Sequence, residues 1–239
     1  MIAPAWFRGV WKREWIRYAG EPFEDRIVRD VQTPSVFGSV RIPLDRPRVA
    51  SLSDATDDEL RAMCLQKGFA GIATFDADIA TWHHAISFQP PETDTARIIQ
   101  HGPNTVLEEG LEGEFAELWW NLAPNDGRFL GIEVTRDDRV LELLAVVGDH
   151  FAYARNRPRD LPPGESLVTI ATTRAQMIEL LDCELSYGNV RGGIVPWEVR
   201  FSTLPWREGQ AIDFARIHAG GTTLVNTFTE DDLRAIAAR

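Results

Sequence analysis

Aromatic and charged residues alternate with a period of two in several parts of the chain, notably at 11–18, 81–86 and 114–120. Successive strand side chains point to opposite faces, so each segment would present a mixed aromatic and ionisable face. In the first segment that face would carry Trp11, Arg13, Trp15 and Arg17. The pattern predicts sheets with aromatic and charged groups on the covered side, as in a closed barrel with a partly polar cavity.

Short strand-like segments separated by turn residues dominate the chain, including 166–171, 195–203 and 212–218. Helices are predicted at three places, each begun by a short polar side chain suited to capping: 53–68, 172–181 and 229–239. Many strands with few helices favour an antiparallel barrel, or paired barrels, over an alternating β-α-β fold.

The turn at 123–127 is the strongest break near the middle of the chain. We therefore predict two β halves, 1–124 and 125–239, each containing a short helix and packed closely together. A further helix is expected at the C-terminus.

The formal net charge of −11 disfavours nucleic acid or an anionic membrane as a partner, because both attract clustered cations. The local basic run 155–159 is expected to be a solvated loop. Two cysteines, Cys64 and Cys183, fit a reducing compartment, where we expect both to fill apolar space as free thiols. With no signal-peptide pattern and no long apolar run, a cytoplasmic location is expected.

Strand segments of this chain resemble those of the calycin superfamily of lipocalins, fatty-acid-binding proteins and nitrobindins: 11–18, 81–88 and 114–120. Others are similar to a small fungal and bacterial family typified by a yeast casein-kinase-interacting protein: 106–110, 115–119 and 144–148. The resemblance implies two calycin-like β-barrel halves and leaves the biochemical function open. No segment matches a nitrobindin histidine motif, so no haem is implied.

Glu117 lies between Phe115 and Trp119 on one predicted strand face. A carboxylate buried there would be suited to acid–base work or to anchoring a cationic ligand. The alternative is a buried ion pair with one of three arginines on mixed strand faces: Arg13, Arg29 or Arg41. Arg13, between two tryptophans, has the same two interpretations: holding a ligand carboxylate, or closing the end of the barrel.

His84 is predicted to face inward with Trp82 and Ile86, which leaves the adjacent His83 on the opposite face. It would serve as a general base, a metal ligand or a hydrogen-bond donor, or would be satisfied by a backbone carbonyl. The remaining histidines lie on separate segments without metal-binding spacing, so no metal or other cofactor is expected.

These patterns favour a protein that binds a small, largely hydrophobic molecule bearing a polar or anionic group. Four tryptophans would wall the pocket: Trp11, Trp15, Trp82 and Trp119. Three polar residues would orient the ligand: Arg13, His84 and Glu117. A second hypothesis is a cofactor-independent isomerase, lyase or hydrolase with His84 or Glu117 as base. A third is a protein-interaction module with a filled barrel, and a homodimer is left open.

Overall fold

The computed structural model describes residues 2–90, 94–124, 126–162 and 164–237. The fold is mainly β, as predicted, and its first half is a closed antiparallel barrel in which each strand pairs with the next along the chain. The barrel strands are β1 (Gly9–Arg17), β2 (Arg26–Gln32), β3 (Val36–Pro43), β4 (Lys67–Asp76), β5 (Ile79–Ser87), β6 (Asp94–Gly102), β7 (Thr105–Gly110) and β8 (Ala116–Pro124). β1 and β8 pair to close it.

The second half is an open antiparallel sheet with the order β13-β12-β11-β10-β9-β14. Its strands are β9 (Phe129–Arg136), β10 (Arg139–Val147), β11 (His150–Arg155), β12 (Glu184–Asn189), β13 (Glu198–Ser202) and β14 (Thr222–Asn226). Two barrel halves were implied by the calycin resemblance. Among the described strands only the first eight close, because β13 and β14 remain the two edges of the second sheet.

Five short α-helices and one 3₁₀ turn complete the described structure. The helices are α1 (Asp57–Met63), α2 (Leu167–Ile170), α3 (Arg174–Leu181), α4 (Phe214–Gly220) and α5 (Glu230–Ala237), and the 3₁₀ turn is Pro205–Arg207. Thr56 and Thr173 begin α1 and α3 with reciprocal capping boxes. The start of α3 agrees with the predicted helix 172–181, whereas α1 is shorter than the predicted 53–68 and ends before β4 begins at Lys67. The predicted C-terminal helix is confirmed as α5. None of the described helices is both long and apolar enough to cross a membrane.

Two segments predicted as strands, 166–171 and 212–218, form α2 and α4 instead. Their N-caps explain the difference, because the side chain of Ser166 accepts a hydrogen bond from the Thr169 amide and that of Asp213 accepts one from Arg216. Such local side-chain bonds favour a helical turn over an extended chain.

A β-bulge changes the orientation of side chains along β1. The pairing of β1 with β8 shifts between Arg13 and Trp15, which leaves Glu14 as an extra residue. Because the bulge reverses the alternation, Ile16 lines the barrel interior, and Trp15 turns to the outer side with the Arg17 guanidinium 5.8 Å from its ring. The predicted common face of residues 11, 13, 15 and 17 is therefore wrong beyond Arg13.

The second sheet packs against the outer surface of β2, β3 and β4. Their shared core joins Val40 and Ile42 of the barrel with Leu143 and Ala145 of the sheet. The approach is closest at Gly38, where an added Cβ would lie 2.6 Å from the Cβ of Ala152. The barrel and the sheet are therefore held together by close apolar packing.

We expect Gly38→Val to destabilise the protein by about 2 kcal/mol, because the added side chain overfills this contact. Urea unfolding monitored by circular dichroism measures the loss. Gly220→Ala is the matched control, since a Cβ at Gly220 meets no atom within 4 Å. Equal stability of the two variants would contradict the packing described above.

Candidate functional site

A cavity of about 530 Å³ opens at the end of the barrel next to α1. The inner wall of the cavity consists of aromatic and ionisable residues: Arg41, Phe69, His84, Asp94, Glu108, Phe115 and Glu117. Its mouth is bordered by more exposed residues: Tyr18, Arg26, Leu65, Lys67, Glu165 and Val168. The volume lies in the range of small-molecule sites in proteins.

The charged centre of the barrel is built on Arg13. This guanidinium donates to Glu117 Oε1 at 2.6 Å and forms a two-bonded pair with Glu24, with distances of 2.8 and 3.0 Å. Only 4% of Arg13 is exposed, and it is absent from the cavity lining. The ion-pair alternative considered for Glu117 is therefore the arrangement in the structure, and Arg13 is not placed to touch a ligand in this cavity.

Arg41 is the guanidinium of the inner wall. It lies 3.8 Å from Glu117 and donates to the Ser39 hydroxyl at 3.1 Å. Its carbon Cζ is 4.8 Å from the centre of the Phe69 ring and 5.7 Å from that of Trp119. Desolvation would lower the pKa of Arg41, but the surrounding carboxylates, Glu117 foremost, raise it above its ordinary value. Arg41 is thus a fixed positive charge.

Two inner-wall carboxyl groups have unused hydrogen-bonding capacity. Glu117 is 2% exposed, and its Oε2 atom has no hydrogen-bond partner in the described part of the protein. Glu108 is 6% exposed and forms no hydrogen bond or ion pair with a described residue. Burial, together with the charge of Glu117, raises the pKa of Glu108 well above its ordinary value. These two carboxyl groups could therefore accept hydrogen bonds from a ligand in the cavity.

His84 forms the second polar centre of the inner wall. Its Nε2 atom is 3.2 Å from Asp94 Oδ2, and its ring stacks on Phe69 with a centroid separation of 4.1 Å. The other ring nitrogen, Nδ1, is buried and has no partner among the described residues. His83 is exposed and pairs with Thr74 instead. An imidazole oriented by a carboxylate has the arrangement of an acid–base pair.

The predicted tryptophan wall encloses a different space. Trp11, Trp82 and Trp119 meet deeper in the barrel around a void of about 10 Å³, which Asp30 and Glu108 also line. This void has the size of a single water molecule. Trp119 Nε1 and Asp30 Oδ1 are both buried without a partner in the described structure. The tryptophans thus border a small polar void, and phenylalanines provide the aromatic surface of the larger cavity.

Of the predicted site residues, the structure therefore brings only His84 and Glu117 to the larger cavity. Three inner-wall residues were not predicted to orient a ligand: Arg41, Asp94 and Glu108. The sequence offered one usable signal, since Glu108 shares a strand face with the apolar Val106 and so falls on the covered side of β7. Asp94 follows a break between two strands, so the alternation of side chains along a strand does not predict which face it lies on.

The contribution of Asp30 to the free energy of unfolding should fall as pH rises from about 4 to 7. Burial raises the pKa of Asp30 to about 6, so the folded state holds this proton above the pH at which the unfolded chain releases it. We expect Asp30→Asn to remove this contribution, gaining about 2 kcal/mol over wild type at pH 7 and nearly nothing at pH 4. Urea titrations at both pH values measure the difference. The exposed Asp25→Asn should show no such pH-dependent gain.

No group of three or more histidine, cysteine, aspartate or glutamate side chains is placed to hold a metal ion among the described residues. Both cysteines are buried free thiols, and burial raises the pKa of Cys64 to about 11. No protein-family model, no curated protein and no solved structure matches the chain.

Proposed function

We propose that this protein binds a small organic molecule inside its barrel. The observation that carries the proposal is the cavity of about 530 Å³, which leads from exposed residues beside α1 to buried ionisable groups. Barrels of eight strands are either filled by side chains or enclose one small ligand. An open cavity favours the second alternative over an interaction module, for which a filled barrel was expected.

The lining supports a ligand with an apolar body and a polar group. Phe69 and Phe115 offer ring surface beside the buried carboxyl groups, and Leu65 and Val168 add apolar surface at the mouth. Apolar area would contribute affinity, and the few polar groups would fix orientation. The sequential order of β1 to β8 further supports the proposed relationship with calycins, whose barrels are of this up-and-down type.

A second candidate function is acid–base catalysis, which the pairing of His84 with Asp94 favours. The carboxylate beside His84 is Asp94, whereas Glu117, the other predicted base, is paired with Arg13. In such an enzyme the imidazole would transfer a proton at the inner wall while the cavity orients the substrate. His84→Asn would then abolish turnover of a bound substrate without abolishing its binding.

Binding is tested with the neutral fluorescent probe N-phenyl-1-naphthylamine. We expect its emission to rise saturably with wild-type protein, and Ser87→Phe, which fills the cavity, to weaken binding at least tenfold. Ala85→Phe is the matched control, because Ala85 lies on the same strand but is exposed and outside the cavity lining. Equal binding by the two variants, or no saturable binding by wild type, would contradict the proposal.

A further inference from the structure

We infer that the ligand of this cavity carries a cationic group, such as a protonated amine, which is held between Glu108 and Glu117 at the inner wall. The inference rests on the proposed function and specifies the chemical class of the ligand. It develops the cationic alternative considered for Glu117 and replaces the expected anionic group, because it depends on charges that the folded barrel brings together.

The inner wall contains more acids than bases. Among the described residues of the inner wall, three acids (Asp94, Glu108 and Glu117) face one guanidinium, that of Arg41. Arg13, immediately behind the wall, is already compensated by Glu24 as well as by Glu117. An anionic ligand would add like charge to this region, whereas a cation would be attracted by it.

Two of these acids have unused hydrogen-bonding capacity at the cavity. Glu117 Oε2 is buried without a hydrogen-bond partner in the described structure. The Glu108 carboxyl group forms no hydrogen bond or close ion pair with a described residue, and both residues are more than nine-tenths buried. Unpaired buried carboxylates are costly, so a group that donates hydrogen bonds to both would relieve this cost. The raised pKa of Glu108 agrees with an uncompensated site, since a bound ammonium would replace its proton.

Arg41 does not offer an alternative anchor for a ligand carboxylate. Its charge is shared with Glu117, and its guanidinium lies against the rings of Phe69 and Trp119. A ligand carboxylate would therefore compete with the carboxylate of Glu117 for Arg41.

The mouth has the opposite charge balance, with Arg26 and Lys67 against Glu165. Arg26 lies 3.6 Å from Asp25 and also donates to the backbone carbonyl of Leu65. Salt screens charges at this solvent-exposed rim much more than those at the inner wall. The inner wall therefore decides which charge the bound ligand carries.

The test compares three ligands of equal size: 4-phenylbutylamine, 4-phenylbutan-1-ol and 4-phenylbutyrate. Binding to wild-type protein is measured directly by titration calorimetry at pH 7. We expect the amine to bind at least tenfold more tightly than the alcohol, and the carboxylate to bind most weakly. Glu108→Gln should remove most of the preference for the amine. Glu109→Gln should preserve it, because Glu109 is the adjacent strand residue and lies outside the cavity lining.

The results with the three compounds separate the cationic-ligand inference from the proposal of small-molecule binding. Tightest binding of the amine, lost in Glu108→Gln and kept in Glu109→Gln, supports the inference. Equal binding of all three compounds, a preference for the carboxylate, or an amine preference that survives Glu108→Gln overturns the inference while leaving small-molecule binding intact. Absence of binding by all three compounds, together with failure of the neutral probe to bind, overturns both proposals.

Discussion

Replacing Glu117 by glutamine is expected to lower the free energy of unfolding by about 3 to 5 kcal/mol. Glu117 accepts a hydrogen bond from Arg13 at 2.6 Å and lies 3.8 Å from Arg41, in a barrel centre from which solvent is nearly excluded. The glutamine keeps the shape but removes the charge, which leaves the buried guanidinium of Arg13 and the half-buried one of Arg41 with less compensation. Urea unfolding at pH 7 measures the effect.

Glu109→Gln is the control for this substitution, since its side chain is on the other face of the neighbouring strand. Arg13→Gln, alone and combined with Glu117→Gln, completes a double-mutant cycle. We expect a coupling energy of about 2 kcal/mol or more between the two positions. A loss below about 1 kcal/mol in Glu117→Gln would show that the pair contributes little and would refute the central role given to it here.

The second large effect is expected at Arg157, which joins the barrel to the second half of the protein. Its guanidinium donates to the carbonyl groups of Leu180, Ser87 and Phe88, at distances of 3.0, 2.8 and 2.8 Å respectively. Arg157 is 3% exposed, and burial lowers its pKa. Arg157→Leu would leave three carbonyl groups without this donor and should cost about 3 kcal/mol.

Arg157→Lys is expected to recover little of this stability, because a single ammonium cannot reproduce the planar fork of donors. Arg159→Leu is the matched control, since the Arg159 side chain is 79% exposed in the same segment. Urea unfolding of the three variants, followed by circular dichroism, tests the prediction. Wild-type stability in Arg157→Leu would show that the bridge between the halves is dispensable.

Arg157 also shows where a sequence pattern fails. The run 155–159 was expected to be a solvated loop, which is the usual place for clustered like charges. Arg159 is exposed as expected, but Arg157 turns inward because the ends of β5 and α3 present carbonyl groups to it. Those carbonyls lie far from Arg157 in sequence, so no local rule could indicate them.

The sequence predicted the candidate site only where side chains alternate regularly along a strand. Alternation placed His84 on the covered face of its strand and His83 on the other, which agrees with the structure. The same rule misplaced Trp15, because one extra residue in β1 reverses every later side chain. Bulges leave almost no local signal, so the rule holds only as far as the strand is regular.

The sequence alone determined the mainly β, antiparallel character and the starts of α3 and α5. These properties follow from interactions between near neighbours: alternation along strands, turn residues between them, and capping by short polar side chains such as Thr173. They require no knowledge of which strands meet.

Only the tertiary structure decided which half closes and which charges share the barrel. Closure depends on β1 meeting β8, and the Arg13–Glu117 pair joins residues 104 positions apart. Glu108 and Glu117 likewise become neighbours because β7 and β8 pair in that register. Burial then makes the ionised form of Glu108 costly beside Glu117, which is the physical basis of the proposed cationic ligand.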